Sequence, residues 1–316
     1  MTSMTTLNAE SLKALGPECL VELLVQISTG DAAIERRLVE LASAAAPRQA
    51  AREVRRRLDF IGRSRTYIYA DRRDAFIADI VNQRHAIREQ VARNDPGEAL
   101  DLLWQLTALA NSVILRCDSK DDTVLDAFRA ACHDLAEIAA ESRPDREKLA
   151  DRTFQAICAN SFGQYADLII MLAPALERDG LEHLKARVHE MAQRSVPIPP
   201  DSERTVISYG PAGPVYADDL HRFDHELLVL RALEDIADAQ GDVDAYIALQ
   251  GEASRTVPAV VAEIARRLLA VGRTKEAWEA VNMTVDRRVR RSEEWPTTRA
   301  EVIEWLGLSR EAAAVC

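Results

Sequence analysis

Aromatic residues make up only 5% of the 316 residues of this chain, and its five cysteines include no C-x-x-C pair. An odd, scattered set of cysteines argues against a disulfide framework and is typical of proteins from a reducing compartment. We therefore predict a cytoplasmic protein.

Long apolar runs are missing as well. No stretch approaches the roughly 18 uninterrupted apolar residues that a transmembrane helix needs. Residues 1–30 lack a basic segment followed by an apolar run and a small-residue cleavage site, the arrangement of a secretory signal. We expect no association with a membrane.

Motifs for several kinds of chemistry are also absent. The chain has no G-x-S-x-G nucleophile motif and no glycine-rich phosphate loop followed by lysine. Cys132 and His133 are adjacent, so on a helix their side chains point about 100° apart and cannot pair. We predict no catalytic residue and no cofactor, which favours a noncatalytic protein over an enzyme.

Helix-forming residues dominate what is present. Apolar residues make up 47% of the chain, and alanine, leucine, arginine and glutamate are abundant. Short connections of glycine, aspartate, proline or serine separate amphipathic segments, which makes successive helices antiparallel neighbours. We predict an all-α fold, an α-solenoid of tetratricopeptide-like helical hairpins, although no period of about 34 residues is visible.

Residues 195–217 predict the one nonhelical insertion, because they contain five prolines and a β-branched run. The runs Thr205–Tyr209 and Pro214–Tyr216, joined by a turn, are expected to form a hairpin. We place the domain boundaries here. Residues 1–194 would form an amino-terminal helical repeat region, and residues 218–316 would form carboxy-terminal helical hairpins.

Two breaks are predicted within helical segments. Pro47 is expected to begin a new helix, since proline suits a first helical turn. The pair Asp179–Gly180 is expected to separate a helix at Leu168–Leu176 from one at Leu181–Arg194.

The segment Arg48–Arg73 concentrates positive charge. It holds nine arginines and three acids, a local balance of +6, in a chain whose formal net charge is −11. An apolar stripe runs through it at steps of three and four residues, formed by Ala51, Val54, Leu58 and Ile61. Such a stripe predicts an amphipathic helix whose other face carries the charge.

Arg52, Arg56 and Arg63 lie opposite this stripe and are predicted to face away from the core. Asp59 lies three or four residues from two of them, so ion pairs with Arg56 and Arg63 are expected. The predicted partner-binding residues are Arg52, Arg56, Arg63, Arg65 and Tyr67.

Three interpretations of these arginines are open. They could bind carboxylates of a protein or peptide partner, or the phosphates of a nucleic acid, because a guanidinium group can form two hydrogen bonds to either. They could also pair with acids of this chain, which has acid in excess. Aromatic residues suited to stacking on bases are limited to Phe60, Tyr67 and Tyr69.

Asp218, His221 and His225 have the spacing of metal ligands on one helix face. The match to H-E-x-x-H is partial, because Arg222 follows the first histidine. Asp218 also suits a helix amino terminus for electrostatic reasons. A metal-dependent hydrolase at His221 and His225 is one hypothesis, and helix capping beside a surface histidine pair is the other.

Several phrases of the chain resemble a family of uncharacterised bacterial helical proteins: Arg52–Leu58, Phe128–Cys132, Gly163–Ile169 and Leu172–Leu176. That family is distantly similar to the helical region of proteins with a SWIM-type zinc finger. The finger needs C-x-C and C-x-H, whereas this chain has no C-x-C and its Cys132 and His133 are adjacent. The resemblance implies a helical scaffold without the zinc module.

The leading hypothesis is a noncatalytic helical scaffold that binds a protein or peptide partner. Nucleic-acid binding through residues 48–73 is the alternative.

Overall fold

A computed structural model of the protein describes residues 12–13, 15–29, 32–118, 122–194, 197–211 and 213–283. Within them the fold is all-α, as predicted, with one short hairpin of strands β1 and β2. The elements are α1 (Gly16–Ser28), α2 (Ala32–Arg63), α3 (Ala70–Ala86), α4 (Pro96–Ala108), α5 (Ala110–Ile114), α6 (Thr123–Ser142), α7 (Arg146–Cys158), α8 (Leu168–Gln193), β1 (Val206–Gly210), β2 (Gly213–Tyr216), α9 (Ala217–Gln240), α10 (Val243–Leu249), α11 (Pro258–Ala270) and α12 (Thr274–Met283). Stacking of the helices into an α-solenoid stays a prediction.

Internal contacts group the chain into two units, Met1–Asp134 and Leu135–Cys316, so the division falls within α6. The predicted domain boundaries lie at residues 195–217, away from this division, and stay a prediction. Residues 284–316 of the predicted carboxy-terminal hairpins lie outside the described part of the chain.

In the first unit, α2 packs on α3, on α4 and on a π-helical turn at Ile87–Val91 that continues α3. Helix α4 begins where the sequence signals a start. The side chain of Asp95 accepts a hydrogen bond from the Glu98 N–H at 2.9 Å, and Pro96 occupies the first turn.

Helix α2 continues through Pro47 as one element of 32 residues, so the prediction that Pro47 begins a new helix is wrong. Proline removes one backbone donor and crowds the preceding turn. Here it follows the alanine-rich residues 42–46, which have the strongest helix propensity and keep the preceding turn helical.

In the second unit, α7 packs on α8, α8 on α9, and α9 on α10. Helices α10, α11 and α12 share a core that includes Tyr246, Val261, Ala265 and Leu268. The hairpin forms where it was predicted, with Tyr209 opposite Pro214 and an irregular register between Val206 and Ser208.

The predicted break between Leu168–Leu176 and Leu181–Arg194 is present, but it lies at Glu177, whose φ of 50° and ψ of −167° are not helical, and not at Asp179–Gly180. Gly180 lies inside the second helical segment. A Cβ atom there would meet the Leu176 side chain at 3.1 Å and the Arg146 carbonyl at 3.3 Å. The glycine therefore permits close packing of α8 on the start of α7 and does not end a helix.

None of the helices in the described part of the chain is long and apolar enough to cross a membrane.

Candidate functional site

The predicted apolar stripe of α2 is buried. Ala51, Val54, Leu58 and Ile61 have between 0% and 6% of their surface exposed. Because a helix turns about 100° per residue, the opposite face must point to solvent. Arg52, Arg56 and Arg63 lie on it and are exposed, as predicted.

Two neighbouring arginines, on the flanks of the same helix, are paired within the first unit. The Arg55 Nη2 donates to Glu98 Oε1 at 2.6 Å, and Glu98 stands in the first turn of α4. The Arg57 Nε donates to Asp79 Oδ2 at 2.8 Å, and Asp79 belongs to α3. These flanking arginines hold α2 against its neighbours.

The predicted ion pairs of Asp59 with Arg56 and Arg63 do not form. Asp59 Oδ1 accepts a hydrogen bond from Gln105 Nε2 of α4 at 2.7 Å, so its carboxylate is directed to a neighbouring helix. No carboxylate among the described residues forms an ion pair with Arg52, Arg56, Arg63 or Arg65.

The extended segment after α2 is fixed to the end of α5. Ile68 forms a parallel bridge with Cys117, in which the Ile68 N–H donates to the Arg116 carbonyl at 2.8 Å and the Asp118 N–H donates to the Ile68 carbonyl at 2.9 Å. The Arg116 side chain donates to the Ile61 carbonyl at 3.0 Å and the Thr66 carbonyl at 2.9 Å. Burial of the guanidinium group, with Arg65 nearby, lowers the pKa of Arg116.

Alternation along this segment buries Ile68 and leaves Tyr67 and Tyr69 exposed on the other side. Their rings lie edge to face, with centroids 5.0 Å apart. Phe60 on α2 is 63% exposed, and the Arg57 guanidinium lies 5.1 Å from its ring centre. We call the exposed set the arginine surface: Arg52, Arg56, Arg63, Arg65, Phe60, Tyr67 and Tyr69.

Sequence reasoning missed Arg116, which donates to the backbone carbonyls of Ile61 and Thr66 from 55 and 50 residues away. A lone arginine near the end of a short helix carries no signal that its partners are backbone carbonyls elsewhere. The sequence likewise did not distinguish Arg55 and Arg57 from the outward arginines, because their acid partners are 43 and 22 residues away in the chain.

Replacing Arg116 with methionine is expected to lower the free energy of unfolding by about 2 kcal/mol, since two charge-assisted hydrogen bonds at a partly solvated site are lost. Methionine keeps the apolar stem. Urea unfolding followed by circular dichroism measures the loss, and Arg72→Met, which removes an exposed arginine, serves as the control. Trypsin should also cut after Arg63 and Arg65 faster in the Arg116 variant. Unchanged cleavage would mean that Arg116 does not hold the segment.

Of the three candidate metal ligands, Asp218 has another partner. The Arg204 Nε donates to both carboxylate oxygens of Asp218, at 3.1 and 3.0 Å, and this lowers the pKa of Asp218. Arg204 also lies 3.9 Å from the ring centre of Tyr216. His221 is exposed. In the described ranges, no three His, Cys, Asp or Glu side chains are grouped to hold a metal ion. Asp218 thus ties the start of α9 to the segment before β1.

Comparison with known proteins adds one match. A model described as a family of unknown function (DUF6880) matches residues 2–316. No curated protein and no solved structure matches the chain. The match does not concern SWIM-type zinc-finger proteins, and that part of the resemblance stays a prediction.

Proposed function

The chain belongs to this family of unknown function, and we propose that it is a noncatalytic helical scaffold that binds an acidic segment of a protein or peptide partner through the arginine surface. One observation carries the proposal. Arg52, Arg56, Arg63 and Arg65 are exposed without an acid partner among the described residues, although the chain has an excess of 11 acids. The nearby acids Glu98 and Asp79 pair with Arg55 and Arg57.

The spacing of these arginines suits an extended acidic segment. Arg52 and Arg56 are about 6 Å apart along the helix axis, and Arg56 and Arg63 about 10.5 Å, at 1.5 Å per residue. Alternate side chains of an extended chain are about 6.6 Å apart on one face. Aspartate or glutamate at two alternate positions would therefore meet Arg52 and Arg56, each through a bidentate contact.

The aromatic members of the arginine surface supply the apolar part of the contact. Phe60, Tyr67 and Tyr69 are each at least 45% exposed. Aromatic and arginine side chains are the residues that most often dominate binding energy at protein interfaces. A partner with apolar residues between its acids would bury these rings.

Binding is expected to depend on the outward arginines. The probe is a fluorescein-labelled peptide that alternates glutamate with leucine, and its affinity is measured by fluorescence anisotropy. The triple variant Arg52→Gln, Arg56→Gln, Arg63→Gln should bind about tenfold more weakly, since three exposed ion pairs at about 0.5 kcal/mol each sum to about 1.5 kcal/mol.

The matched control removes the same charge elsewhere. Arg93, Arg129 and Arg194 each pair with an acid three or four residues earlier in the chain. Their combined change to glutamine should alter the peptide affinity less than about twofold. If the two triple variants lost the same peptide affinity, the loss would come from the change in net charge alone. The proposal would then be wrong.

Nucleic acid is the second candidate, and the exposed rings beside arginines are what favour it, because bases stack on such rings. The rest of the chain carries −17, which repels a phosphate backbone. A labelled oligothymidine is therefore included. Tighter binding of oligothymidine than of the peptide, with a steep loss on adding salt, would replace the acidic partner by a nucleic acid.

Two further features belong to this proposal. The scattered cysteines support a cytoplasmic location. The family resemblance supports a bacterial origin. Stacked hairpins of an α-solenoid would give the partner an extended surface beyond the arginine surface.

A further inference from the structure

A cavity of about 450 Å³ lies within the second unit. Its walls are the end of α7, the loop that leads into α8, the first turn of α8, and one side of α9 from Leu227 to Asp235. This volume is within the range of about 300–1,000 Å³ that is usual for small-molecule sites. The arginine surface, which belongs to the first unit, contributes nothing to it.

Part of the wall is apolar. Ile157 and Ile169 are buried, and Leu227, Leu228 and Leu230 are half-buried along α9. Tyr165, which is 5% exposed, adds an aromatic side chain. A ligand with an apolar body would cover the leucines of α9.

Three carboxylates line the cavity: Asp167 from the loop, and Glu234 and Asp235 from α9. The Asp167 and Asp235 side chains have no hydrogen bond or ion pair among the described residues. The neighbouring acids of α9 are satisfied: Glu234 accepts a hydrogen bond from Gln250 at 2.6 Å, and Arg267 donates to both oxygens of Asp238 at 2.6 Å. Negative charge is therefore left without a partner in the cavity.

Burial of the carboxyl group, followed by the charge of Asp167, raises the pKa of Asp235 to about 6. Asp238 and Glu234 on the same helix act in the same direction, and Arg231 lowers the value. Of the described residues that line the cavity, Arg231 is the only cation, and it is exposed. One exposed arginine faces the carboxylates of Asp167 and Asp235, so the cavity keeps a net negative charge.

We propose that this cavity binds a small organic cation with an apolar body, with its positive charge beside Asp235 and its apolar part against the leucines of α9. An ammonium group would supply the counter-charge that Asp235 lacks, in a partly dry site where such a hydrogen bond is strong. The leucines of α9 account for the preference over an inorganic cation.

The probe is 2-phenylethylamine, whose ammonium form is compared with the neutral isostere 2-phenylethanol by isothermal titration calorimetry on the full chain at pH 7.5. The amine should bind at least about tenfold more tightly than the alcohol. Asp235→Asn should weaken amine binding by at least about tenfold and leave alcohol binding unchanged. Asp224→Asn, which changes an exposed carboxylate of α9 outside the cavity, should leave both affinities unchanged.

The pH dependence gives an independent measurement. Below about pH 6 the Asp235 carboxylate is protonated, so amine binding to the wild type should fall towards that of Asp235→Asn. The variant should also melt at a higher temperature than the wild type above pH 6, because an acid with a raised pKa destabilises the folded state when ionised. That difference should vanish as the pH falls towards 4.

Three results would overturn the proposal. Equal affinity for the amine and the alcohol would make the site apolar without charge selection. If Asp235→Asn bound the amine as tightly as the wild type, the cation would not bind beside Asp235. If no heat of binding were measured at millimolar amine, the cavity would not be a cation site. A higher melting temperature of Asp235→Asn at pH 7.5 shows that the variant is folded in each case.

Discussion

Replacing Asp134 with alanine is expected to lower the free energy of unfolding by about 3 kcal/mol. The Asp134 side chain is 4% exposed, and its two oxygens lie 2.8 Å from Arg84 Nε and 2.8 Å from Arg88 Nη1. Its removal takes away the buried carboxylate that the two guanidinium groups share, and such losses at buried ion pairs reach about 3–5 kcal/mol. The lower end applies, because Arg88 is 44% exposed and keeps part of its hydration.

Urea unfolding measures this effect, and the same helix offers a control. The Asp126 side chain is 63% exposed and lies 3.4 Å from Arg129 three residues along. Asp126→Ala should change the free energy of unfolding by less than about 0.5 kcal/mol. The loss of unfolding free energy for Asp134→Asn should lie between those for Asp134→Ala and Asp126→Ala, because asparagine retains an acceptor but not the charge. A loss for Asp134→Ala no larger than that for Asp126→Ala would contradict this account.

Leu58→Ala is expected to cost about 3 kcal/mol of unfolding free energy. Leu58 is fully buried in the stripe of α2, where the helix meets the rest of the first unit. Truncation removes apolar contacts and leaves a cavity, which costs about 2–5 kcal/mol at such positions. The arginine surface would lose its support, so peptide binding should weaken together with stability.

Phe60, two residues along, provides the comparison. It is 63% exposed, so Phe60→Ala should change the free energy of unfolding by less than about 0.5 kcal/mol. Peptide binding should nevertheless fall by about fivefold or more, because an exposed ring of the arginine surface is lost. If Phe60→Ala destabilised the fold as much as Leu58→Ala, Phe60 would belong to the core and not to a binding surface.

Much of the candidate site followed from local rules. The period of the apolar residues in α2 predicts which side of the helix is buried, and Leu58 and Ile61 are buried accordingly. Proline, glycine and β-branched residues predict the hairpin, whose strands lie at Val206–Gly210 and Gly213–Tyr216. These features depend on residues within a few positions of one another.

Other predictions failed where neighbours in space outweigh neighbours in sequence. Asp59 has arginines three and four residues away and still directs its carboxylate to Gln105 of α4. Gly180 resembles a helix end, but it allows close approach to Arg146 at the start of α7. In both cases the deciding contact comes from another helix.

The sequence by itself determined that the protein is helical, which face of α2 is buried, and where arginine is concentrated, because propensity and periodicity are properties of short segments. Only the tertiary structure decided which arginines lack an acid. Glu98 and Asp79 reach Arg55 and Arg57 from 43 and 22 residues away and leave Arg52, Arg56 and Arg63 exposed. It likewise brought Asp167 and Asp235 to one cavity, because packing of α8 on α9 closes a distance that no local pattern records.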